Sequence, residues 1–449
     1  MFTRPGLCLT ATIASLVLLP AHAALAQQTG SVIFFHPDGT SANSWAAARM
    51  FYYGPDGDLH WDRLPHIALY RGHLADCLTA TSNAGATIHA YGIKTDADSF
   101  GKTAGGGRAK PIVDADGHSL SVAHQAMRAG IPVGLVQSGS IIEPGTAVFV
   151  ASADSRRDFD SIAAQVVESG VTLSFSGGEQ HFLPAGVKGV HGPGTRKDQR
   201  NLIDEARERG YKVIFTREEL LALPAETEKV IGLFASYHTF NDKPEEKLAE
   251  LGLEPYDPKA PTIAEMMDVA LKILGRNGRQ FLAIVEEEGT DNLPNNNNAI
   301  GTLIALKRAD DAIGVARAFL QQRPDTLLFT AADSDAGGLQ VIGFVDQPGK
   351  NAPEKLPERD ESGAMMDGTA GTGTAPFTAA PDRMGRQLKF AIVWAAADDV
   401  SGGILVRADG FNAHLVKGSF DNTKVAELIR TTLFGAAIPA SPAKPPAAD

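Results

Sequence analysis

Four segments spread along the chain each carry an Asp or Ser in a short polar motif directly after an apolar lead-in. They are VIFFHPDGTS (32–41), TATSNAGATIHAYGIKT (79–95), FLAIVEEEGTDN (281–292) and TLLFTAADSDAGG (326–338). Three of the four lead-ins are unbroken runs of Val, Ile, Leu and Phe, the composition of strands buried on both faces. Such strands need helices covering the sheet, and the strand ends of an open α/β sheet converge on one crevice. That places Asp38, Ser82, Asp291 and Asp333 together. A crevice with this many carboxylates cannot keep them all ionised unless cations sit among them. The pattern therefore points to a metal site with a hydroxyl in it.

The rest of the chain supports the same architecture. Strand patterns at 31–36, 66–71, 132–137, 147–151, 171–176, 212–215, 230–235, 281–286, 326–331, 390–394 and 403–408 alternate with helical patterns from 41–52 to 422–434. The expected fold class is α/β, with a doubly wound, largely parallel central sheet and helices on both faces. Residues 27–436 form the expected catalytic domain. Within it, 345–386 is rich in Gly, Pro, Asp and Thr and is too long for an ordinary connection, so it is expected as a surface insertion or mobile loop between two sheet strands. Residues 437–449 have the composition of a disordered tail.

At 449 residues and 43% hydrophobic composition, the chain can bury a large core. A net charge of −12 argues against a nucleic-acid groove or a basic membrane surface. Trp45, Trp61 and Trp394 show no base-stacking pattern. The N-terminus reads as a secretory signal over 1–26, with Arg4, an apolar run and a small-x-small site at Ala24-Leu25-Ala26. The apolar run is shorter than the ~20 residues that span a bilayer, so a periplasmic or secreted protein with no membrane span is expected. Of two cysteines, Cys8 falls in the signal; Cys77, left alone, is expected as a small buried hydrophobe.

Taken together, these motifs resemble the alkaline phosphatase family from about residue 30 to 435. LSFSGGEQHFLP (173–184), RNLIDEARERGYKVIFTREELLAL (200–223) and FNAHLVKGSFDNTKVAELI (411–429) resemble further segments of that family. The resemblance implies that Asp38 bridges two metal positions, Ser82 is the nucleophile, Arg156 grips the substrate phosphate, and Glu286, Asp291 and Asp333 are metal ligands. The family usually has Asp before the nucleophilic Ser and Ala after it; here stand Thr81 and Asn83. Glu143 falls where the family has Asp or His, and Gly145 where a metal-binding Thr is usual, with Thr146 adjacent. Three imidazoles of the family pattern are replaced: Asn295 stands four residues after Asp291, Ser334 follows Asp333, and AADDVSGG offers Asp398 or Asp399. The family also implies a homodimer.

The ligand set this implies is Asp38, Ser82, Glu286, Asp291, Asn295, Asp333, Ser334 and Asp399. It is made of oxygen, which suits magnesium, calcium or manganese, with zinc the alternative. His36, two residues before Asp38 on the same strand face, is the one imidazole near a ligand. His89 and His414 read as packing or surface residues. Phosphate-ester hydrolysis needs a nucleophile and charge neutralisation, which two cations roughly 4 Å apart supply. The expected function is a metal-dependent phosphatase that hydrolyses small phosphate monoesters through phospho-Ser82, with Arg156 as a planar clamp. Ser82 also opens a helix, where backbone amides favour phosphate. The alternatives are phosphodiester or sulfate-ester hydrolysis on the same fold, or a phosphate-binding protein without catalysis. No Cys/Ser-x-Pro-x-Arg setting of a sulfatase occurs near Ser82.

Overall fold

The computed structural model describes residues 28–349 and 351–435. The expected signal at 1–26 and tail at 437–449 lie outside the described residues. The apolar runs form the middle of a ten-stranded sheet. Its order across the sheet is Gly418–Asp421, His66–Arg71, Leu405–Gly410, Thr326–Thr330, Ser31–Pro37, Leu282–Glu287, Val133–Ser140, Leu173–Gly177, Val230–Leu233 and Lys212–Ile214. Only Leu405–Gly410 runs antiparallel to its neighbours. The expected α/β, largely parallel architecture is therefore the one observed.

The three long apolar strands lie side by side because each is buried on both faces. Ser31–Pro37 pairs in parallel with Leu282–Glu287 on one side and Thr326–Thr330 on the other. One layer of side chains, including Phe34 and Phe329 with stacked rings 4.9 Å apart, packs under the helices Ser82–Tyr91, Val122–Arg128 and Lys424–Phe434. The opposite layer, including Phe35, Val285 and Leu328, packs under Ile263–Leu274 and Ala299–Leu320. The parallel register sets His36 opposite Glu286, and Glu286 opposite Gln137. The polar motifs thus leave the same edge of the sheet.

Three expectations change. The run at 147–151 is not a strand: Pro144–Ala147 is a short helix opened by Pro144, and the apolar residues after it are buried without joining a sheet. The strand expected at 390–394 is present as Lys389–Trp394 but belongs to a second, smaller sheet with Gln340–Gly343 and Met365–Gly368. The stretch 345–386 thus contributes strands of its own, packed through Phe377 and Phe390 against the helices Ala42–Tyr53 and Ala299–Leu320. Cys77 is exposed rather than buried, in a loop beside Leu78, itself 81% exposed. His89 is a packing residue as expected, fully buried with Nε2 2.6 Å from the Tyr70 hydroxyl, and His414 is on the surface. Trp45 and Trp61 stack on each other in the core at 4.8 Å.

Candidate active site

At the C-terminal edge of the central strands, Asp38, Glu286, Glu288, Asp291 and Asp333 are all buried. Ligand atoms of His36, Asp38 and Asp333 lie within 4.8 Å of one another, and so do those of Asp38, Glu286 and Glu288. Asp38 belongs to both groups. Its Oδ1 accepts from the Gly39 amide at 2.9 Å, while among the described residues Oδ2 has no hydrogen-bond partner. Both carboxylate oxygens of Glu286 and Asp333, Oε2 of Glu288, and both ring nitrogens of His36 are likewise buried without a partner. His36 Nε2 lies 2.9 Å from Asp38 Oδ1 but is not aligned as a hydrogen bond. Buried polar atoms are almost always satisfied, so a concentration of orphans at one point signals a missing group. Their chemistry identifies it: acceptors and an imidazole facing one another are a cation's donor set. The residues present therefore fit two cations that share Asp38, one with a nitrogen donor and one held by oxygen alone.

Electrostatics give the same answer. Burial pushes the carboxyls of Glu286, Glu288, Asp291 and Asp333 well above the usual carboxylate range, and repulsion from neighbouring carboxylates adds to it. Asp38 is pushed up to about 6, chiefly by burial. Burial also pushes His36 down, toward the neutral form that ligates metals. The middle residue of the Glu286–Glu288 run has a different job. Glu287 accepts from Ser138 Oγ at 2.5 Å, the Tyr256 hydroxyl at 2.7 Å and the Gly289 amide at 3.1 Å, which ties adjoining segments together.

Two glycines make room for these side chains. A Cβ at Gly145 would overlap the carboxylate of Glu286, and one at Gly85 would overlap Asp333. Thr146, next to Gly145, is occupied by a hydrogen bond from the Gln137 amide. Gly85 lies on the first turn of the helix Ser82–Tyr91, so that turn rests on Asp333. Ser82 is the first residue of this helix. Its neighbours are committed elsewhere: Thr81 Oγ1 donates to the Ala97 carbonyl at 2.6 Å, and the Asn83 amide donates to the carbonyls of Ala97 and Ser99, both at 3.1 Å. Among the described residues, the Ser82 hydroxyl has no hydrogen bond, and it is 9% exposed. A cleft of about 380 Å³ has Tyr70, Thr79, Ala80, Asp333 and Gly402 in its lining.

Arg156 reaches the site from the other side. Its Nη2 donates to Glu143 Oε2 at 3.1 Å, and Tyr237 Oη donates to Glu143 Oε1 at 3.3 Å. The guanidinium side chain remains 45% exposed and close enough to feel Glu288 and Asp291. Ser334 is buried with its hydroxyl unpaired. Asp399 pairs in a short ladder with Ala336 and accepts from Asn295 Nδ2 at 3.0 Å. Asn295 was expected to offer oxygen, but it turns its NH₂ toward the carboxylates. Glu288 joins this cluster without having been singled out by its motif, although the i, i+2 spacing from Glu286 was a usable signal. Tyr237 and His238, whose Nε2 lies 3.9 Å from Glu143 Oε1, carry no motif and come to the site only through the fold.

A sequence profile of alkaline phosphatase matches residues 30–434. The chain belongs to the alkaline phosphatase family. Among its relatives, the membrane-bound alkaline phosphatase of Bombyx mori is 28% identical over 336 residues, covering 67% of this chain and 59% of that protein. The repressible alkaline phosphatase of Saccharomyces cerevisiae is 28% identical over 343 residues, covering 69% of this chain and 55% of that protein. The aligned stretch thus spans little more than half of these relatives. Two solved structures share the fold: the alkaline phosphatase of Thermus thermophilus (TM-score 0.69, 22% identity, 93% of this chain and 96% of that one) and that of the Antarctic bacterium TAB5 (TM-score 0.67, 19% identity, 91% and 99%). Divalent metal ions are a general property of the alkaline phosphatase family, in keeping with the orphaned ligand atoms described above.

Proposed function

We propose that this chain is a metal-dependent phosphatase that transfers the phosphoryl group of a small monoester to Ser82 and then to water. The observation that carries the reading is the shared carboxylate: two groups of unpaired, buried ligand atoms meet at Asp38. His36, Asp38 and Asp333 would hold one cation, and Asp38, Glu286 and Glu288 the other. Bound there, divalent cations neutralise the buried carboxylates and stabilise charge on the phosphoryl oxygens. The Ser82 oxygen attacks phosphorus, the P–O bond to the alcohol breaks, and the alcohol leaves with a proton. Water then attacks phosphoserine, restoring the Ser82 hydroxyl and releasing inorganic phosphate. Arg156, already held by Glu143, presents a planar fork to two phosphoryl oxygens. The open first turn at Ser82 adds backbone amides aimed at the same phosphate.

The His36 imidazole refines the metal expectation. A nitrogen donor suits zinc or manganese at the first position, while the all-carboxylate position suits magnesium, calcium or manganese. Chelated protein should therefore lose p-nitrophenyl phosphate hydrolysis and recover it best with a pair of ions, zinc plus magnesium, or with manganese alone. Full activity in excess chelator would sink the reading. Gly145 provides a second check. Gly145→Ala should push Glu286 aside and weaken magnesium binding by roughly 10–100-fold, the usual range for disturbed ligand support. Isothermal titration would measure this, with circular dichroism confirming the fold; unchanged affinity would mean that Glu286 is not a ligand.

Among the described residues, no helix is long and apolar enough to cross a membrane. We read the chain as exported, with the mature protein starting near Gln27. N-terminal sequencing of the secreted or periplasmic fraction tests this, and a chain that still began at Met1 would count against it.

A further inference from the structure

An acidic pair apart from those two groups, Asp291 and Asp399, lines the crevice, and it does not fit a cation as they do. Asp291 and Asn295 sit four residues apart on one face of the helix Gly289–Asn295. Asn295 Nδ2 donates to Asp291 Oδ1 and Oδ2 at 3.3 and 3.2 Å and to Asp399 Oδ1 at 3.0 Å. Its Oδ1 accepts from the Gly337 amide at 3.0 Å. A backbone amide is a donor in every state of the protein, so it fixes which way the carboxamide points. Turning the side chain to offer its oxygen to an ion would set NH₂ against N–H. Gly337 has little freedom to withdraw: it has φ +66°, a Cβ there would lie 2.5 Å from the Pro294 carbonyl, and its N–H also reaches the Asp398 carbonyl at 3.2 Å.

We infer that the Asn295 carboxamide takes the place of a cation between Asp291 and Asp399, so that this chain holds two divalent ions and not three. The inference rests on the metal-dependent reading above and goes beyond it. The NH₂ group brings two hydrogens to two carboxylates, satisfying oxygens that would otherwise need an ion. Asp291 and Asp399 then act as a hydrogen-bonded wall of the site.

Equilibrium dialysis of the full chain against zinc or magnesium chloride, followed by elemental analysis, tests this. Wild type should saturate at two ions per chain. Asn295→Asp keeps the shape and can still accept from Gly337, but replaces the NH₂ with a ligand oxygen; it should gain one zinc per chain. Asn295→Ala should stay at two and melt at a lower temperature, because two carboxylates lose their donor. A wild-type content of three that falls to two in Asn295→Ala would overturn the inference, as would an Asn295→Asp content fixed at two. Wild type that binds no ion would instead overturn the metal-dependent reading itself, and is distinguishable by its stoichiometry.

Discussion

Asp38→Asn should abolish phosphatase activity and, in the presence of chelator, make the protein more heat-stable. The two effects have one cause. Asp38 is fully buried beside Glu286, Glu288 and Asp333, and belongs to both groups of ligand atoms. Without cations, its negative charge costs free energy through burial and through repulsion from those neighbours. Asn has the same shape and still accepts from the Gly39 amide, so the local turn survives. The metal-free variant sheds a buried charge and should melt higher than metal-free wild type. On the proposed reading, the metal-loaded variant loses a ligand common to both ions. Turnover should fall by at least about 10³-fold, since removing even one contact that stabilises transition-state charge can cost 10²–10³. Adding metal should raise the melting temperature of wild type markedly and that of Asp38→Asn little. Calorimetry with and without chelator, beside a rate assay, reads all of this. A variant that keeps its metal-dependent stabilisation would show that Asp38 bridges nothing.

The sequence made the centre of this site legible for a physical reason. Strands buried on both faces have no polar alternation, so VIFF, FLAIV and TLLF stand out as apolar runs, and the polar motif that follows each marks the edge of the sheet. That placed Asp38, Asp291 and Asp333 together, with Ser82. Hydrophobicity alone cannot tell a short buried strand from a buried turn, and AVFVA at 147–151 has the pattern of the first and the structure of the second for that reason. Lys389–Trp394 was read as a strand, but which sheet it joins depends on pairing with Gln340–Gly343, remote in sequence. Gly418–Asp421 does not stand out as a strand by pattern, because GSFD carries one apolar residue; its neighbour His66–Arg71 supplies the ladder. Glu288 did not stand out because it lies beyond the end of its strand, at the cap of the next helix. The position of Asn295 was legible from its spacing to Asp291, but its orientation was not. That is set by the Gly337 amide, forty-two residues along the chain.

Ser82→Ala and Arg156→Ala should fail in different ways. Ser82 begins its helix with a free hydroxyl, whereas Thr81 and Asn83 on either side are bound to backbone carbonyls. On the proposed mechanism, removing that hydroxyl takes away the atom that accepts the phosphoryl group, so kcat should collapse while phosphate binding persists. Arg156 touches the site from outside the carboxylate cluster, and its side chain is 45% exposed, so solvent screens part of its charge. Hydrogen bonds to charged groups contribute roughly 1.5–3 kcal/mol, and the exposure places Arg156 toward the lower end. Arg156→Ala should therefore raise KM and the inhibition constant for phosphate by roughly ten- to hundredfold. It also leaves the buried Glu143 without its cationic partner, with Tyr237 still donating to it. Substrate carrying labelled phosphate, quenched in acid, separates the two variants: Arg156→Ala should still yield labelled protein when substrate is raised above its higher KM, and Ser82→Ala should yield none. Label on Ser82→Ala would move the nucleophile elsewhere. Thr81 is the nearest hydroxyl, and to act it would first have to release the Ala97 carbonyl that now holds it at 2.6 Å.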